Sequence, residues 1–186
     1  MEIYDIETLQ KAFQQKKKLK YVFFWGHTPS RMGVVDKAVF SQWYVAHFEV
    51  DSVIYPTAEH FMMAEKARLF GAKDIEKEIL MATSPAKAKD LGRKIVNFDE
   101  KIWQQHRFEI VYRGNLAKFS QNTDLQAFLL ATNQRILVEA SPVDKIWGIG
   151  LEQNNPQVEN PLLWKGLNLL GFALMKVRDD LLKTFV

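Results

Sequence analysis

Cysteine is absent from the 186-residue chain, which excludes disulfides, thiolate nucleophiles and any Cys-ligated zinc or iron–sulfur centre. Long apolar runs are missing as well. The longest, Leu169 to Met175, is seven residues, against the ~20 that a membrane-spanning helix needs. There is no internal repeat, no low-complexity tract and no Pro/Gly-rich linker, so a single domain over residues 1–186 is expected. Neither sign of charge dominates: 25 Lys plus Arg against 22 Asp plus Glu leave +3. That balance suits an anionic ligand but argues for no particular partner. The first fifteen residues carry Glu2, Asp5 and Glu7 before any apolar stretch, unlike a secretory signal, so a cytoplasmic protein is expected. What the chain does hold is an ordinary globular composition, 47% hydrophobic and 25% charged, with 5 Trp, 5 Tyr and 13 Phe. Several Trp stand beside Gly or polar residues, where they can line a pocket as well as fill a core.

The pattern predicts a helix-rich α+β domain with one small sheet and no regular βαβ alternation. Asp5 is placed to cap a first helix with Leu9 and Phe13 inward, and Lys16, Lys17, Lys18 and Lys20 read as its solvated C-terminal end. Tyr21 to Trp25 reads as a buried strand. Phe40 to Val50 alternates as a second, turned at Asp51-Ser52 into a short partner from Val53 to Tyr55. Helices follow: Thr57 to Phe70, Asp74 to Met81, one opened by Ser84-Pro85, one from Asp99 to about Phe119, and Leu125 to Ala131 capped by Thr123. Arg135 to Ala140 is a further strand, and Asn160-Pro161 is expected to open a last helix with Leu162, Leu169, Ala173 and Val177 inward.

Three clusters carry chemistry. On the helix from Thr57, Glu59 and Lys66 fall at i and i+7, a carboxylate in the first turn and an amine two turns on along one face. Spacing alone also fits a solvated ion pair, but Tyr55-Pro56 ties this helix directly to a strand, a common mount for catalytic groups. The second cluster is Glu139-Ala-Ser-Pro-Val-Asp144-Lys-Ile-Trp147-Gly148-Ile-Gly150, which offers carboxylates, a stacking face and glycines. It is either a ligand loop or a turn around a structural Trp, and it is no Rossmann fingerprint because no third glycine opens a helix. The third, Trp164-Lys-Gly166-Leu-Asn168-Leu-Leu-Gly171, places two glycines where close packing against another helix or a ligand is expected. His27, His47, His60 and His106 show no metal-ligand spacing, and capping or core roles are expected for them.

In their order these clusters resemble the YbiA/NADAR family, named for NAD and ADP-ribose. The resemblance runs through Tyr55-Pro-Thr-Ala-Glu59-His60, Ala64, Lys66 and Ala67, then Glu139-Ala-Ser, Asp144, Trp147-Gly148 and Gly150, then Trp164, Gly166, Asn168, Leu170-Gly171, Met175 and Arg178. It covers about residues 21–182 and implies a mainly helical α+β N-glycosidase. Its substrate classes are ribosylamino-pyrimidine phosphates of early riboflavin synthesis and, in other members, ADP-ribose attached to guanine bases. The chain departs from the family at Ser41-Gln42, where Ser-Asn is common, at Met63, where Gln is common, and at Ile149, where riboflavin-linked members carry an acid. The uncharged Ile149 tips the expectation toward an ADP-ribosyl substrate, small or nucleic-acid-linked, because it would not repel two phosphates.

The resemblance implies Glu59, Lys66 and Asp144 as catalytic residues converging on one pocket. Trp25, Gly26, Arg31, Ser41, Arg93, Glu139, Trp147, Gly148, Gly150 and Asn168 are implied as substrate-binding: Trp25 and Trp147 stacking on the base, Asn168 on ribose hydroxyls, Arg31 or Arg93 on phosphate. Cleavage passes through an oxocarbenium-like ribose. Glu59 would stabilise that cation or activate water, and Asp144 would act as acid or orient substrate. Lys66 would act either as a cation beside Glu59 or, when neutral, as an imine-forming nucleophile. No cofactor, metal, membrane or obligate protein partner is called for. Beside the enzyme stand a non-catalytic ADP-ribose- or nucleotide-binding module and a purely structural domain, neither of which needs Glu59, Lys66 and Asp144 together.

Overall fold

The computed structural model describes residues 2–183. In chain order the elements are α1 (Ile6–Gln14), β1 (Tyr21–Phe24), β2 (Phe48–Val50), β3 (Val53–Tyr55), α2 (Ala58–Leu69), α3 (Lys73–Leu80), α4 (Pro85–Gly92), α5 (Glu100–Gln121), α6 (Thr123–Leu130), β4 (Ile136–Glu139) and α7 (Leu169–Lys183). The fold is α+β and mainly helical. The chain divides into two compact units: residues up to Ser41 together with those from Asp124 onward, and Gln42–Thr123.

In the first unit β1 and β4 pair in parallel, Tyr21 opposite Ile136 and Phe24 opposite Glu139. Lys20 O accepts from Ile136 N and Phe24 O from Ala140 N, so the ladder is extended by one bond at each end. Leu137, Val138, Phe172, Ala173 and Val177 are buried where α7 packs on β4, and Phe24, Phe40 and Phe128 form a ring cluster beside them. Asp5 accepts from Thr8 N and caps α1 as expected.

In the second unit α2 is the central rod, packed by α3, α4, α5 and β3. Every residue from Ala58 to Ala64 is buried, so its first half has no solvent face, which is how a helix enclosed by neighbours reads in sequence. Thr57, Ser84 and Asp99 cap α2, α4 and α5 with their own side-chain oxygens. The β2–β3 hairpin turns at Asp51 and Ser52, both at positive φ, as a two-residue hairpin loop requires.

Three details differ from the sequence pattern. The small sheet is two separate two-stranded ladders. Phe40 to Val50 is not one strand: Asp36 accepts from Ala38 N and winds Lys37–Phe40 into a 3-10 turn, and extended pairing begins only at Phe48. The last helix begins at Leu169, not near Pro161. Pro161–Leu163 make one 3-10 turn, and the chain then runs irregularly to Asn168, whose φ of +55° belongs to no right-handed helix.

Candidate active site

Glu59 and Lys66 belong to the second unit, Asp144 to the first. The start of α2 is fixed from two sides. Thr57 Oγ1 accepts from His60 N (3.3 Å), and Gln42 O accepts from Glu59 N (2.9 Å), so two of the otherwise orphan N–H groups of the first turn are satisfied. His60 locks the arrangement. Its Nε2 lies 3.1 Å from Ala82 O, which can only accept, so Nε2 carries the proton and Nδ1 accepts from the Thr57 hydroxyl at 2.7 Å. Burial pushes the His60 pKa down, against the pull of the Ala82 carbonyl, in keeping with that neutral tautomer. The Glu59 side chain, 2% exposed, lies in a helix first turn whose dipole favours negative charge.

Gln42 is itself held. Its Oε1 accepts from Asn115 Nδ2 (2.8 Å), and Asn115, wholly buried in α5, also donates to Val111 O. Gln42 Nε2 is buried with no hydrogen-bond partner, a donor facing the interior one backbone bond away from Glu59.

Two turns along α2, Lys66 is half-buried. Its Nζ donates to Gly92 O (3.0 Å) and lies 4.2 Å from the Phe98 ring centroid and 5.7 Å from that of Trp103. Burial lowers its pKa. Arg93 pushes the same way, and the carboxylates of Glu100 and Glu59 oppose it. Arg93 is exposed at the end of α4, 3.6 Å from Asp90, so a second cation stands within electrostatic reach of Lys66. The sequence pattern does not place Gln42, Asn115, Phe98 and Trp103 at this site, whereas the core role expected of His60 is what the structure shows. Phe98 and Trp103 were detectable, because they flank the Asp99 cap at the positions of a hydrophobic staple. Gln42 carried no signal beyond replacing the family's Asn.

In the first unit the 139–150 loop leaves the C-terminal end of β4. Asp144 N donates to Ser141 Oγ, while Asp144 Oδ1 accepts from Ile146 N and Trp147 N, both at 2.8 Å. That carboxylate fixes the backbone of Trp147. The loop then lies against 165–170 through Lys165 N to Ile149 O, Leu167 N to Lys145 O and Asn168 N to Gly148 O. Asn168 is fully buried; its Oδ1 accepts from Glu139 N (3.0 Å) and its Nδ2 donates to Leu137 O (2.9 Å), so its amide staples the start of α7 to β4. Gly148 is buried, and Gly150 takes φ +66°. At Gly166 a Cβ would collide with the Gly148 carbonyl and with Lys145 backbone, so the close approach predicted there is of chain to chain. Ile149 is completely buried as well, which removes it from any direct contact with a ligand.

Trp25 and Gly26 follow β1 directly and stand beside Glu139 and Ala140 at the C-terminal ends of the parallel pair. Trp25 is 62% exposed, unusual for an indole without a partner surface. Arg31 lies farther along the same exposed segment, and Ser41, partly buried, ends the 3-10 turn of residues 37–40. Among the described residues no group of three or more His, Asp or Glu gathers in a metal-holding arrangement, and no helix is long and apolar enough to cross a membrane.

The model of the NADAR domain matches residues 23–182. The chain is 45% identical to the N-glycosidase R617 of Acanthamoeba polyphaga mimivirus, over 87% of this chain and 96% of that protein. It is 32% identical to the N-glycosidase YbiA of Escherichia coli, over 78% and 82% of the two chains. The NMR structure of E. coli YbiA superposes with a TM-score of 0.70 at 27% identity, covering 89% of this chain and 86% of that one. A third relative is the chloroplastic riboflavin biosynthesis protein PYRR of Zea mays, 36% identical over 72% of this chain and 21% of that protein.

Proposed function

The chain belongs to the NADAR family and is a hydrolase of N-glycosyl bonds, and on that premise we propose that it removes ADP-ribose from guanine-type bases, with Glu59 and Lys66 at the reacting centre. The observation that carries this reading is α2 itself: a buried carboxyl group in the first turn, on a backbone fixed by the Gln42 carbonyl, and a half-buried amine two turns on, held by the Gly92 carbonyl. Breaking the N-glycosyl bond leaves positive charge on the ribose, so a fixed carboxylate lowers the barrier by electrostatics already in place. Water supplies the hydroxyl that ends on the anomeric carbon, and its proton leaves with the base. Arg93, exposed and within electrostatic reach of Lys66, is a cation placed to receive phosphate oxygens of the substrate. Ile149, enclosed in its loop, contributes nothing to the choice of substrate. Asp144 enters as a positioning residue for Trp147, because its Oδ1 is engaged by two backbone N–H groups.

The similarity to a riboflavin biosynthesis protein favours a second reading, a ribosylamino-pyrimidine phosphate substrate. Both readings share the reaction.

Variants on α2 test the assignment. Glu59→Gln should lower kcat by about 10²–10⁴ with KM little changed, the span of a positioned acid–base or charge-stabilising group. Lys66→Arg keeps the cation and removes the amine. With wild type, borohydride added during turnover should trap enzyme plus the sugar portion if Lys66 forms an imine, and Lys66→Arg should abolish the adduct. No adduct, together with a nearly active Lys66→Arg, leaves Lys66 its charge alone. A Glu59→Gln enzyme with unchanged kcat overturns the assignment.

A further inference from the structure

Gln42 and Asn115, 7% and 0% exposed, form a pair of buried amides whose hydrogen bonds do not close. Asn115 donates from Nδ2 to Val111 O, one turn earlier on α5, at 2.8 Å; a carbonyl only accepts, so the amide nitrogen must face it. The same Nδ2 meets the Gln42 side chain at 2.8 Å, which assigns Oε1 to that end of Gln42. Neither amide can therefore be turned over to satisfy its other half. Gln42 Nε2 and Asn115 Oδ1 are left enclosed with no hydrogen-bond partner among the described residues, one donor and one acceptor within a single contact.

Such a pair is a poor stabiliser. Each enclosed group without a partner gives up its hydrogen bonds to water and gains none, whereas apolar side chains of the same shape have no such bonds to lose. Close packing of the two helices does not depend on it either. Next to Asn115, Gly114 brings α5 so near α2 that a Cβ there would collide with the Phe61 ring. What the pair does reach is Glu59. Gln42 O accepts from Glu59 N at 2.9 Å, an N–H of the first turn that has no acceptor within its own helix. The links run from Val111 O through Asn115 and Gln42 to Glu59 N, and they tie the start of α2 to the middle of the 22-residue α5.

We propose that Gln42 and Asn115 are positioning residues for Glu59, holding its main chain, and with it the direction of its carboxyl group, at a loss of stability. This rests on the role given to Glu59 above. Both residues act through Glu59 and not on the substrate, and a displacement of about 1 Å at a reacting group is enough to slow a reaction about 10²-fold. Polar pairs that weaken a core while ordering a reacting group are expected where local structure serves function.

The double variant Gln42→Met, Asn115→Leu replaces both amides by apolar side chains of nearly the same shape and keeps the carbonyl of residue 42. Its Tm is followed by circular dichroism, and kcat and KM are measured on whichever of the two substrates wild type hydrolyses faster. Tm should equal that of wild type or exceed it by up to about 4 °C. KM should stay within about twofold while kcat falls by about 10- to 100-fold, a split that a merely structural role would not produce. Because the effect runs through Glu59, the same two changes made in Glu59→Gln should lower kcat by less than about threefold further. Wild-type kcat in the double variant, a lower Tm or failure to fold, or an undiminished further loss in the Glu59→Gln background would each overturn the proposal and leave Glu59 its role. Glu59→Gln turning over at the wild-type rate would instead overturn the reading of Glu59 and the proposal with it.

Discussion

Lys118 shows what burial does to one charge. It is completely enclosed in α5, its Nζ 5.5 Å from the Tyr44 ring centroid and 5.3 Å from that of Phe119, and burial pushes its pKa from 10.5 down to about 7. Below pH 7 both folded and unfolded chains hold the proton and the folded state bears the cost of enclosing it. Between about pH 7 and 10 the unfolded chain still binds a proton that the folded chain has released, so stability rises with pH by up to about 1.4 kcal/mol per unit. Chemical denaturation of wild type from pH 7 to 9.5 should show that rise, and Lys118→Met should flatten it. Parallel curves would contradict it. The upper limit matters, because the Tyr21 hydroxyl, pushed up to about 12 by burial and by Glu159, favours the folded protein less and less as pH climbs past the ordinary tyrosine range near 10. Lys66 follows the same physics at the candidate site, where burial lowers its pKa and the Gly92 carbonyl and the Phe98 ring hold it, partners that the helix pattern alone does not name.

Among the elements, caps and turns were the most legible in sequence. Asp5, Thr57, Ser84 and Asp99 each accept the N–H that a local rule assigns them, because capping depends on two or three neighbouring residues. Legibility fails where partners are distant in sequence. Asn168 bonds to β4 across about 30 positions, so its polar side chain, placed at a candidate ligand site by the motif, proves to be a staple between backbone segments. The Gly148–Gly150 and Gly166 pattern is likewise explained by two loop strands lying against each other. A direct consequence concerns Gly166. A Cβ there meets the Gly148 carbonyl and comes within 2.8 Å of Lys145 Cα, and neither atom can swing aside as a flexible side chain would. Gly166→Ala should therefore cost about 2–4 kcal/mol by urea unfolding. Gly71→Ala, at φ +68° but in open space, should cost only about 1–2. Equal losses would place the pressure on backbone conformation and not on the close approach.

For the molecule as a whole, the sequence conveyed the helix-rich α+β class and the family, because three motifs in a fixed order survive without any knowledge of contacts. It did not convey that the chain packs as two units, the first made from both ends of the sequence with the second between them. The pairing of residues 21–24 with 136–139 that creates this arrangement joins segments more than a hundred positions apart, and no local pattern encodes it. The NADAR match spans residues of both units, so the activity is assigned to the whole matched span, 23–182. Its net charge of +3 adds only mild attraction for any phosphorylated substrate. What separates the two substrate readings is measured directly by comparing kcat/KM on ADP-ribosyl-guanosine and on a ribosylamino-pyrimidine phosphate, with released base and sugar quantified. The expected result is the larger value for the ADP-ribosyl substrate. A value higher by about tenfold for the pyrimidine phosphate, about 1.4 kcal/mol of transition-state preference, would contradict it.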